Sequence, residues 1–144
     1  MQAYSERMFT VRTRSLPERS AAIGSAGPFT LVVDRSAEAG GDGIGFSGGQ
    51  LLYLAVAGCV SNDLFREADA AGIRLHQVAI TVDGDFTGSP ATSTEVSYDV
   101  ELTGDADESE LRGLVERVDR IAEIPNSLRQ GTGVALRRVS VSRV

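Results

Sequence analysis

Apolar and polar side chains alternate most cleanly between Thr94 and Leu102. Thr94, Val96, Tyr98, Val100 and Leu102 fall on one side, and Glu95, Ser97, Asp99 and Glu101 on the other. A period of two marks a strand with one covered face and one wet face. Leu75, Val78, Ile80 and Val82 predict a preceding strand that ends near Gly84. Between them GDFTGSPATS reads as a long hairpin connection whose polar tip could reach a partner chain. The first 34 residues predict a meander of three short strands, about 8–14, 19–24 and 28–34. In the third, Phe29, Leu31 and Val33 alternate with Thr30, Val32 and Asp34, and Ala26-Gly27-Pro28 supplies the turn before it.

The period changes after a glycine-rich stretch. Residues 38–45, EAGGDGIG, hold too much glycine for regular structure and read as a flexible loop. Ser47 with Gln50 three positions later is a capping-box pattern, so a helix opens at Ser47. Leu51, Leu52, Leu54, Val56, Cys59 and Val60 cover most of its wheel, and Asp63, Arg66, Glu67 and Asp69 give polarity to the second half only. Gly72 closes it. Asp107 and Glu110 offer a second capping box, after which Leu111, Leu114, Val115, Val118, Ile121 and Ala122 predict a one-sided helix packed on a sheet. Pro125 either stops that helix or starts a short turn reaching about Arg129, and Gly131 and Gly133 break the chain again. VALRRVSVSRV, 134–144, predicts a last strand whose parity changes across Arg137-Arg138, the mark of a β-bulge.

Strands and helices in this order do not alternate strictly, so the fold class is α+β with a mainly antiparallel sheet and a long buried central helix. One sheet and one further helix cannot cover a helix that is apolar all round. A second subunit is the economical cover, and a homodimer burying the first half of that helix is expected.

Composition sharpens this in three places. At 144 residues with no linker-like stretch, a single domain over 1–144 is the expectation. The net charge of −6 disfavours nucleic acid and anionic membrane surfaces as partners. The segment MQAYSERMFTVRTR lacks an apolar signal region, and no apolar run is long enough to span a bilayer, so a cytoplasmic location is expected. All fourteen basic residues are Arg, which fits a GC-rich bacterial genome.

Candidate chemistry is sparse. Cys59 is the only cysteine, so no disulfide can form within the chain. His76, the only histidine, has no cluster of ligand residues around it and reads as an exposed or half-buried strand residue. GGDGIG lacks the Lys of a phosphate-binding loop. The acidic residues of 105–110 cap a helix and have no metal-ligand spacing, and Arg137-Arg138 face solvent. Neither a metal nor a cofactor is expected.

The succession GGDGIGFSGGQLLYLAVAGC, AGIRLHQVAITVDGDF and AEIPNSL resembles the OsmC/Ohr family, the osmotically inducible protein C and organic hydroperoxide resistance proteins. The resemblance covers nearly the whole chain. It implies an intertwined α+β homodimer with two sites at the subunit interface, where a peroxidatic Cys on the central helix attacks a hydroperoxide. It further implies a second Cys before a Pro that resolves the sulfenic acid, a Glu near the helix start, and an Arg from the N-terminal strands. Cys59 matches the peroxidatic position. The resolving position falls on Ile124, before Pro125, and the Glu position falls on Gly49, so both groups are missing. Arg19 matches the activating Arg, with Arg14 and Arg12 as alternatives on the same strands.

An apolar helix interior and the Asp63 carboxylate one turn later both oppose a thiolate at position 59, and only an Arg from elsewhere, such as Arg19, reverses this. Without a second thiol, an oxidised Cys59 needs an external reductant. The expected function is therefore a repurposed homodimer with an apolar interface pocket for a small molecule, edged by Gln50, Ile124 and Pro125. The alternatives are a one-Cys organic hydroperoxide reductase using Cys59, Arg19 and an external thiol, and a purely structural dimer with no ligand.

Overall fold

The computed structural model describes residues 9–143. The chain divides at Leu54 and Ala55 into two compact units. In the first, β1 (Arg12–Ser15), β2 (Ala22–Ala26) and β3 (Phe29–Val33) form an antiparallel sheet in that order, with Arg14 opposite Ile23 and Ala22 opposite Val33. The meander is as expected, but its strands are shifted. The expected first strand reaches back to position 8, outside the described residues. Residues 16–20 form a turn instead of starting the second strand: the Leu16 N–H donates to Ala21 O at 2.8 Å and the Arg19 N–H to Leu16 O at 3.2 Å. Gly27, at φ +56°, lets two residues suffice between β2 and β3.

The glycine-rich stretch is a tied loop, not a flexible one. Asp34 is only 3% exposed, and its Oδ2 accepts the N–H of Asp42 at 3.0 Å and of Ile44 at 3.1 Å. The chain then returns beside β3, with Asp34 N–H donating to Phe46 O at 2.9 Å and Phe46 N–H to Val32 O at 3.0 Å. The glycines are what let the backbones approach: a Cβ at Gly45 would lie 2.3 Å from Val32 O, and one at Gly41 2.2 Å from Arg35 O. Burial works to raise the Asp34 pKa, yet the backbone N–H groups of Ile44, Arg35, Asp42 and Gly43 together hold it below the usual carboxylate range.

Helix α1 (Gly48–Ala70) starts as its pattern predicts. The Ser47 N–H donates to Gln50 Oε1 at 2.9 Å, and the Gln50 N–H donates back to Ser47 Oγ at 3.2 Å. At its other end Gly72 takes φ +70°, while Ile73 N–H reaches Ala68 O at 2.8 Å and Gly72 N–H reaches Asp69 O at 3.1 Å, the paired bonds of a Schellman stop.

In the second unit β4 (Leu75–Asp83) and β7 (Ser97–Gly104) pair antiparallel, with Ile80 opposite Val100 and Val82 opposite Tyr98. The connection between them holds a small hairpin that the pattern did not show, β5 (Phe86–Thr87) with β6 (Thr92–Ser93). Helix α2 (Glu108–Ile121) opens on the complete Asp107–Glu110 capping box. Pro125 starts rather than stops a helix: it lies in the first turn of α3 (Glu123–Arg129), where a missing N–H costs nothing. Val60, Leu64 and Ala68 of α1 pack with Leu114 and Val118 of α2 and with Ala122 to form the core, against the inward side chains of β4 and β7.

One predicted element is absent. Residues 133–143 form no strand and pair with nothing among the described residues, so the bulge at Arg137-Arg138 is absent too. A strand is defined by its ladder, and alternation of side chains cannot supply one without a neighbour.

Candidate functional site

The candidate residues are distributed between the two units. Arg19 and Gln50 belong to the first; Cys59, Ile124 and Pro125 belong to the second. Arg19 stands in the turn after β1 next to Glu18, whose φ is +58°, and its Nη1 lies 3.9 Å from Asp42 Oδ2 of the glycine loop. Gln50 engages its side-chain carbonyl in the α1 cap, accepting the Ser47 N–H at 2.9 Å, which fixes the side chain at the helix start.

Cys59 is half-buried on α1 and packs at the margin of the core formed around Val60 and Leu64. One turn later Asp63, expected on a polar face, is only 8% exposed. Arg66 Nη1 stands 3.3 Å from its Oδ1. Burial pushes the Asp63 pKa above the ordinary carboxylate value; Arg66 opposes this, and the negative charges of Glu123 and Glu67 add to it. The same Arg66 approaches Glu67 at 3.6 Å, and Glu67 in turn accepts from Arg117 of α2 at 3.1 Å. Arg112 is held by Glu108 at 2.9 Å, and Arg129 by Asp119 at 2.6 Å. Among the described residues of its own unit, no guanidinium or histidine pairs with Cys59. Thiolate chemistry needs such a partner or a set of donors.

Ile124 is half-buried and Pro125 buried in the first turn of α3. That helix is anchored through its last residue: Arg129 donates to Asp119 O at 2.8 Å and to Asn126 Oδ1 at 2.9 Å, besides its ion pair. His76 does have a partner the sequence did not reveal, with Nε2 2.6 Å from Asp105 Oδ1 across the end of the β4–β7 pair. Among the described residues no group of three His, Cys, Asp or Glu side chains could hold a metal ion. No helix of the described residues is long and apolar enough to cross a membrane.

Two recesses accompany these residues. In the first unit an apolar cavity of about 290 Å³ opens over the β1–β3 sheet, lined by Val11, Phe29, Leu31, Val33 and Leu51 among others. None of these was singled out from sequence as a binding residue, although the alternation of Phe29, Leu31 and Val33 was the available signal. In the second unit a groove of about 540 Å³ runs between β7 and α2, floored by Val100, Leu102, Leu111 and Val115.

No curated protein matches this chain. Among solved structures, an OsmC-like protein from Mycoplasma pneumoniae superposes with a TM-score of 0.75 at 18% identity, over 88% of this chain and 90% of that one. The organic hydroperoxide resistance protein OsmC from Legionella pneumophila gives 0.65 at 18% identity, over 89% and 92%. The organic hydroperoxide resistance protein OhrB of Bacillus subtilis gives 0.61 at 17% identity, over 88% and 93%. At such identities the likeness is one of fold. The OsmC-like protein family model matches residues 40–137, from the glycine loop through α3 and beyond, and on that match the chain belongs to the OsmC-like family.

Proposed function

We propose that this chain is a repurposed single-domain OsmC-like protein, a homodimer that binds a small apolar molecule and does not reduce hydroperoxides by a two-cysteine cycle. The observation that carries this reading is the buried carboxylate of Asp63 one turn from Cys59, together with the pairing of arginines in the same unit to carboxylates rather than to the thiol. Arg66, Arg112, Arg117 and Arg129 of its unit are each matched to a carboxylate, and the nearest carboxylate along α1, Asp63, is buried. A peroxidatic thiol needs the opposite arrangement. The absence of a second cysteine, with Ile124 before Pro125 and Gly49 ten residues before Cys59, points the same way.

The homodimer and its ligand are supported by exposed apolar surface. Phe29 is 75% exposed and Leu54 51% exposed, large values for side chains that a folded chain covers when it can. The cavity over β1–β3 has the apolar lining and the size for a small organic molecule. A cytoplasmic location goes with this reading.

A half-buried free thiol also suits a one-Cys hydroperoxide reductase regenerated by an external thiol, with Arg19 as the activating cation. Peroxide oxidation separates the two. The protein is mixed with an alkyl hydroperoxide and sulfenic acid at Cys59 is followed by mass spectrometry across pH. Oxidation no faster than that of an unactivated thiol is the expected result. Rapid stoichiometric oxidation below pH 7, lost in Cys59→Ser and slowed in Arg19→Ala, would overturn the proposal in favour of the reductase.

A further inference from the structure

We draw no further inference here: the strongest candidate, the groove between β7 and α2 floored by Val100, Leu102, Leu111 and Val115, has nothing in the structure to show what covers it, and a strand from a second copy would only restate the homodimer of its family.

Discussion

The hydroxyl of Tyr98 on β7 donates to the carboxylate of Asp119 on α2, and Arg129 at the end of α3 binds the same Oδ1 at 2.6 Å. One carboxylate therefore joins a strand and two helices. Burial, then the hydrogen bond to Asp119 and its negative charge, push the Tyr98 pKa well above that of a free phenol. The Tyr98 hydroxyl, and after it the Arg129 guanidinium, hold Asp119 below the ordinary carboxylate range against the effect of burial.

Tyr98→Phe is expected to lower unfolding stability by about 1–2 kcal/mol, the range for a hydrogen bond to a charged group that is partly in water. Urea denaturation measures it. Arg129→Ala should release α3 while leaving α2 helical, which amide exchange at 123–129 against 108–121 would show.

Two carboxylates, the half-exposed Asp119 and the buried Asp63, should give pH effects of opposite sign. Asp119 has a folded pKa below its unfolded one. Its contribution is present above an unfolded pKa of about 3.9 and is lost as pH falls through the lower folded value. Asp63 has a folded pKa above its unfolded one, so the native state binds its proton more tightly and ionisation at neutral pH opposes folding. Asp63→Asn is expected to raise the midpoint of thermal unfolding at pH 7, with the gain shrinking as pH approaches 3.5. A loss at pH 7 that fades as pH approaches 3.5 would show that the Arg66 ion pair outweighs burial.

The core offers a test of which residues carry stability. Leu64 is 0% exposed and central to the contact of α1 with α2, so Leu64→Ala should cost about 2–5 kcal/mol. The same change at Leu128, 38% exposed at the end of α3, should cost under about 1 kcal/mol in urea denaturation.

In the loop that returns beside β3, Gly45→Ala places a methyl 2.3 Å from Val32 O. The strand or the loop must move, at about 1–3 kcal/mol. Gly48→Ala, where a Cβ meets nothing within 4 Å, serves as the control and should be neutral or mildly stabilising by the helix preference of alanine.

Elements whose signals are local were legible in the sequence. Both capping boxes, the Gly72 stop, and the alternation of β7 each lie within a few residues and each is found, although β7 starts at Ser97 and not at Thr94. What was missed depends on distant partners. Asp63 looked like the start of a polar face, yet it lies on a helix whose Val60 and Leu64 enter the core with α2, and it is buried. The glycine loop looked slack because the carboxylate that ties it, Asp34, stands eight residues before Asp42. The final strand failed for a related reason, since its pattern was local but its ladder was not. At the candidate site the sequence indicated Cys59 and the residues that replace two family groups, while the pairing of Arg117 with Glu67 and of Arg129 with Asp119 needed the fold to bring them together.

The β4–β7 ribbon has one shared ladder and two outer edges. In an antiparallel pair, alternate residues turn their N–H groups inward to the partner strand and the rest outward. Along β7 in a single chain, deuterium would therefore be taken up in a slow–fast rhythm, residue by residue. A strand laid along the outer edge slows the fast beats and leaves the slow ones as they were. The rhythm of labelling along eight residues thus reports whether that edge is covered.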